Sequence, residues 1–172
     1  MSENLLKLIR DVPDFPSPGI LFRDITPLLA SPEGFQEAVR QMAAPFRAEL
    51  PQKVLGIEAR GFMFGAALAR ELEVGFVPVR KPGKLPRETY RVSYGLEYGK
   101  DSLEIHADAI SSGEKVLLAD DVLATGGTAE AAAKLVDRLG GRVVGLTFLI
   151  ELSQLCGRAR LTDRRLHSVL LL

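Results

Sequence analysis

Residues 116–129 read VLLADDVLATGGTA. An apolar run ends in two adjacent carboxylates, Asp120 and Asp121. A short loop with Thr125, Gly126, Gly127 and Thr128 follows, and then an alanine-rich stretch of helical character. The pattern predicts a buried strand, a phosphate-sized loop and a helix N-terminus. Glycine lets the chain turn sharply and lets backbone N–H groups reach a ligand with no Cβ in the way. The first turn of a helix has N–H groups without intrahelical partners, and the helix dipole adds partial positive charge there. Together these make a site for a phosphate monoester, to which Thr125 and Thr128 can add hydroxyl donors. Ionised, Asp120 and Asp121 only accept hydrogen bonds, which suits two adjacent ribose hydroxyls. No lysine follows the glycines, so this is not the G-x-x-x-x-G-K-[ST] loop of nucleoside triphosphatases, and it is not G-x-G-x-x-G either.

Alternating elements must position this loop. The sequence predicts strands over 54–57, 74–79, 116–119, 143–150 and 168–171. It predicts helices over 62–72, with Phe64, Leu68 and Leu72 at helical spacing, and over 129–139, closed by Gly140 and Gly141. Strands alternating with helices imply an α/β fold with a mostly parallel central sheet, helices packed on both faces. Ligands of such sheets sit at the carboxyl ends of the strands. Asp120 and Asp121 fall there, and so does Glu58-Ala59-Arg60.

Around this frame, residues 3–11 place Leu5, Leu8 and Ile9 on one face of a short helix ended by Pro13. Residues 12–30 hold Pro13, Pro16, Pro18, Gly19 and Pro27 and read as an irregular, rigid segment. Ser31 as N-cap and Pro32 at the first helical position start a helix expected to run to about residue 50, before Pro51. Residues 80–106 break the alternation. RKPGKLPRE is basic and turn-rich, and TYRVSYGLEYGKDSLEIHAD alternates like two antiparallel strands joined by YGLEYGK. This predicts a hairpin projecting beside the site.

The 172 residues are read as one domain spanning 1–172, long enough to bury roughly 70% of the unfolded surface. Lys plus Arg equals Asp plus Glu at 22 each, so the net charge is zero, which argues against nucleic acid as a partner. No apolar run reaches the ~20 residues of a membrane span. The N-terminus lacks a signal-peptide hydrophobic region. Cys156 is the single cysteine, so no intrachain disulfide forms; a reducing, cytoplasmic location is expected, with Cys156 a small packed hydrophobe. His106 and His167 have no metal-ligand spacing around them.

The 116–129 stretch resembles the 5-phosphoribosyl 1-pyrophosphate (PRPP) signature of the type I phosphoribosyltransferases. The finer likeness is to the adenine phosphoribosyltransferases and covers almost the whole chain. FPSPGILFRDITPLL at 15–29, GIEARGFMFG at 56–65, VRKPGKLPRET at 79–89, SYGLEYGKDSLEIH at 93–106 and LIEL at 149–152 carry it. The resemblance implies a phosphoribosyltransferase fold with an N-terminal hood over 1–31 and a flexible hairpin within 80–106. It implies the purine-salvage reaction of adenine with PRPP to give AMP and pyrophosphate. Ala124 to Thr128 (Ala124, Thr125, Gly126, Gly127, Thr128) would hold the 5′-phosphate, and Asp120 and Asp121 the ribose hydroxyls. Arg60, Arg80, Lys81 and Lys84 would meet the pyrophosphate. Mg²⁺ is implied, held by PRPP oxygens and water rather than by direct protein ligation. Phe22 and Leu152 match the pair that sandwiches the base, with the backbone of Leu21 and the main chain near Arg60 reading its edge. Glu97 matches the acid/base group, with Tyr98 helping to close the hairpin, and Arg60 stands beside the reacting centre. The Glu58–Ala59 peptide is expected to be cis, and a homodimer is implied. The signature by itself leaves open transfer to hypoxanthine, guanine, xanthine or orotate. It also leaves open a PRPP-sensing regulator that binds nucleic acid.

Overall fold

Five strands form one parallel sheet: β3 (Lys53–Ile57), β4 (Gly75–Val79), β7 (Lys115–Leu123), β8 (Arg142–Glu151) and β9 (Leu166–Leu171), in the order β4-β3-β7-β8-β9. The computed structural model describes residues 2–95 and 100–172. Two antiparallel ribbons flank the sheet. One pairs β1 (Arg10–Pro13) with β2 (Leu21–Asp24), the other β5 (Thr89–Gly95) with β6 (Lys100–His106). The helices are α1 (Ser2–Leu6), α2 (Thr26–Ala30), α3 (Pro32–Ala43), α4 (Gly61–Leu72) and α5 (Gly127–Arg138).

The sheet strands are apolar on both faces, as a doubly covered parallel sheet requires. Leu55, Ile57, Val116, Leu118, Leu146 and Phe148 point into one cluster with Ala132, Leu135 and Val136 of α5 and Leu103 and Ile105 of β6. Val54, Leu117, Ala119, Val144 and Ile150 point into the other, against α3, α4 and the N-terminal helices. The chain leaves β3 outward to β4, then crosses back to β7. The strand order therefore reverses between β3 and β7, and a crevice at their carboxyl ends is the expected ligand position.

Several elements differ from the sequence reading. Helix α1 stops at Leu6, and β1, over Arg10–Pro13, begins inside the stretch expected to be helical. Leu5 is still buried, with Leu8 and Ile9 packed on its cluster. The segment 12–30, expected to be irregular, contains the end of β1, β2 and α2. Its proline-rich turn is organised by Asp14, at φ 59°, whose Oδ1 accepts from Gly19 N at 2.7 Å. Ser31 caps α3 through its side chain as expected, accepting from Gly34 N at 3.1 Å. The α-helix ends at Ala43, however, and continues as a 3-10 turn over Ala44–Glu49. Pro45 lacks the N–H that would bond the Gln41 carbonyl in an α-helix, and the Met42 carbonyl accepts from buried Thr147 Oγ1 at 3.0 Å. Strand β7 runs on through both aspartates to Leu123, pairing Val122 with Ile150 and Leu123 with Glu151. Cys156 is exposed in a left-handed turn at φ 52°, not packed. Among the described residues no helix is long and apolar enough to cross a membrane.

Candidate active site

At the carboxyl ends of β3 and β7 lies a cavity of about 440 Å³. Leu21, Phe22, Arg60, Lys81, Asp120, Asp121, Ala124, Thr128 and Leu152 line it, joined by Ile20, Arg23, Glu58, Ala59 and Val122. A smaller recess of about 70 Å³ adjoins it, shares Asp120, Ala124 and Thr128, and is closed by Thr125 and Gly126. Segments far apart in the chain thus meet where the strand order reverses.

The phosphate loop is built by backbone. Gly126 takes φ +82° at the N-cap of α5, and no side chain caps that helix. Without a cap, the first-turn N–H groups of α5 face the recess as anion donors. Gly127 lies behind them: a Cβ there would meet Tyr94 Cδ2 at 3.4 Å. Thr128 Oγ1 lies 3.4 Å from the Tyr94 hydroxyl, so the hairpin root rests on the loop. Tyr90, Val92 and Tyr94 pack on the core, and an antiparallel bridge joins Glu104 to Arg80. The described part of the hairpin is therefore anchored at its root. Glu97 and Tyr98 lie outside the described residues.

The carboxylate pair differs in environment. Asp121 is 5% exposed; Asp120 is partly open as a whole residue, but its carboxyl stands out of water. Asp120 Oδ1 accepts from Asp121 N at 2.9 Å. Burial, with the neighbouring Asp121 charge added, pushes the Asp120 carboxyl well above the usual range. Burial also raises Asp121, opposed by the Arg60 guanidinium. Arg60 Nε lies 2.8 Å from Asp121 Oδ2. That approach is an ion pair without hydrogen-bond alignment, so Oδ2 is buried with no donor. The same guanidinium stacks over Phe22 at 5.1 Å, linking the apolar end of the cavity to the carboxylate end.

Phe22 and Leu152 are half-buried and share the cavity wall rather than filling the core. Phe15 packs edge-on against Phe22 with centroids 5.1 Å apart, and Leu152 N donates to Leu123 O at 2.9 Å.

The basic residues do not all reach the cavity. Arg80 and Lys84 stand behind it, gathered on Glu58. Lys84 Nζ donates to Glu58 Oε1 at 2.5 Å, Arg80 Nη2 to the same oxygen at 3.2 Å, and Lys81 N to Oε2 at 3.0 Å. Burial alone would raise the Glu58 pKa; these bonds outweigh it and hold it at about 2. The Lys81 ammonium pairs with Asp101 and donates to Tyr94 Oη at 3.2 Å. Glu58 as the hub of the cations escaped the sequence reading, although it stands in the quoted GIEARG stretch. Its partners lie 22 to 26 residues away. The Glu58–Ala59 peptide is cis, as expected, and so is Phe15–Pro16. Among the described residues, no three His, Cys, Asp or Glu side chains gather as metal ligands.

Residues 26–167 match the model of the phosphoribosyl transferase domain. An adenine phosphoribosyltransferase of Myxococcus xanthus is 57% identical over 162 residues, covering 94% of this chain and 88% of that one. The chain belongs to the adenine phosphoribosyltransferases. The crystal structure of the Rhodothermus marinus adenine phosphoribosyltransferase superposes with a TM-score of 0.95 at 55% identity, covering 99% of this chain and 98% of that one. The Saccharomyces cerevisiae enzyme, complexed with D-2,5-dideoxy-2,5-imino-altritol 1,6-bisphosphate and adenine, gives a TM-score of 0.93 at 39% identity, covering 98% and 97%. The likeness of fold to these adenine phosphoribosyltransferases runs across nearly the full chain.

Proposed function

We infer that this chain joins adenine to the ribose of PRPP, forming AMP and releasing pyrophosphate in purine salvage. One observation supports this above others. A cavity and the recess adjoining it carry an apolar pair, Phe22 and Leu152, then the Arg60 cation, then two carboxylates and, in the recess, the loop at an uncapped helix N-terminus. That sequence of surfaces suits a flat base, a pyrophosphate, a ribose diol and a 5′-phosphate in turn. The yeast relative complexed with adenine and a bisphosphate of imino-altritol gives the same reading from outside the chain.

N9 of adenine forms a bond to C1 of the ribose while the bond from C1 to the pyrophosphate oxygen breaks. Positive charge develops on the ribose, and the Asp120 and Asp121 carboxylates favour it. The N9 proton goes to Glu97 as general base. Phe22 and Leu152 hold the ring, with the backbone of Leu21 and the main chain at Arg60 reading its edge. Glu58 keeps Arg80, Lys81 and Lys84 grouped beside the site, so an incoming pyrophosphate meets concentrated positive charge. Magnesium, when bound with PRPP, neutralises pyrophosphate charge. The donor set fits a hard cation held mainly by substrate oxygens and water, with buried Asp121 Oδ2 an acceptor for such water. A cytoplasmic homodimer completes the proposal.

Pyrophosphate release from PRPP with adenine and Mg²⁺ tests it. Release matching AMP formation mole for mole, and abolished by chelating Mg²⁺, is expected. Pyrophosphate without AMP would reduce the site to a PRPP hydrolase. Glu97→Gln should lower kcat far more than it weakens PRPP binding, and unchanged turnover removes Glu97 from the mechanism.

A further inference from the structure

Between Glu151 and Arg158 the chain passes through two short 3-10 turns, Ser153–Leu155 and Gly157–Arg160, and touches both halves of the site. Leu152, at its start, lines the cavity. Gly157, near its end, is buried against the phosphate loop. A Cβ on Gly157 would stand 2.1 Å from the Ala124 carbonyl oxygen and 2.9 Å from Gly126 N, and one on Gly126 would stand 2.5 Å from Gly157 O. Backbone therefore lies directly on backbone, and any shift of this loop moves the amides that would hold the phosphate.

The two ends of the loop are pinned to each other. Arg158 donates from Nε to Glu151 Oε1 at 3.0 Å and from Nη2 to Oε2 at 2.6 Å. Ser168 Oγ of β9 donates to the same Oε2 at 2.7 Å, fixing the carboxylate to the sheet. Glu151 is 6% exposed, and neither it nor Arg158 lines the cavity. A two-pronged guanidinium–carboxylate bond fixes orientation as well as distance.

We infer that the Glu151–Arg158 pair is a positioning device, clamping the 152–158 loop so that Leu152 and the Ala124–Gly126 backbone are set together. The inference rests on the proposed roles of Leu152 toward adenine and of 124–128 toward the 5′-phosphate. Its consequence is that one distant ion pair tunes affinity for both substrates.

Arg158→Ala and Arg158→Lys test it through kcat and both KM values. R158A should raise KM for PRPP and for adenine together by about tenfold, with a smaller fall in kcat. R158K should recover only part, because one ammonium cannot make both parallel bonds. Both KM values unchanged, or only one of them raised, would overturn the inference. Since R158A leaves a buried carboxylate short of a partner, hydrogen exchange on the wild-type protein gives a second test. Ribose 5-phosphate should slow exchange in 152–158 as well as in 124–128. Slowing confined to 124–128 would also overturn the inference while leaving the functional reading intact. A wild-type protein that makes no AMP would overturn both.

Discussion

Asp120 and Asp121 carry opposing demands. Burial favours a proton on the pair, whereas ribose hydroxyls need acceptors. Their raised pKa values place that proton closer to neutrality than usual. PRPP binding should therefore weaken as pH falls through the raised values, because the carboxylates must lose the proton to accept. Calorimetric titration of ribose 5-phosphate across that range measures it. Asp120→Asn should weaken binding by about ten- to a hundredfold and flatten the pH dependence, since a bond to a charged acceptor is worth ~1.5–3 kcal/mol. Glu58 behaves in the opposite sense. Its folded-state pKa of about 2 lies below the ordinary 4.5. Its stabilisation is complete above the ordinary value and is lost as pH falls toward 2. Glu58→Gln should cost at most about 3 kcal/mol at neutral pH, read by urea unfolding, and the cost should vanish in acid.

At the level of elements, Gly126 and Ser31 are the sharpest tests. Gly126→Ala meets both a left-handed φ and the Gly157 carbonyl. It should raise KM for PRPP by more than about tenfold through the displaced loop. Ser31→Ala removes the α3 cap and should cost about 1 kcal/mol of stability without moving either KM. Thermal unfolding beside steady-state kinetics separates the two cases. Capping, the strand–loop–helix unit and the sheet strands were legible because each is written locally, as a hydroxyl before a proline, glycines after an apolar run, or β-branched stretches. The β1–β2 ribbon was not legible. Its strands are only four residues each, and the prolines between them read as irregular chain. The end of α3 was misjudged at Pro45, where 3-10 bonding takes over.

At the level of the whole molecule, the alternation of strands and helices announced a parallel sheet, and the strand order then dictates where ligands bind. Asp120 and Arg60 were foreseeable as neighbours because both fall toward the carboxyl ends of adjacent central strands. Glu58's network, the Tyr94 contact with Thr128 and the Gly157 seat on Ala124 depend on tertiary pairing that no local pattern encodes. Light scattering on the eluting protein should give twice the 18.7 kDa chain mass if the homodimer proposal holds. The most direct measurement offers the purified protein PRPP and Mg²⁺ with adenine, hypoxanthine, guanine, xanthine and orotate in parallel, and follows nucleotide formation. AMP from adenine alone is the predicted result. A nucleotide from another base in its place, or none from any base while PRPP still binds, would contradict the account.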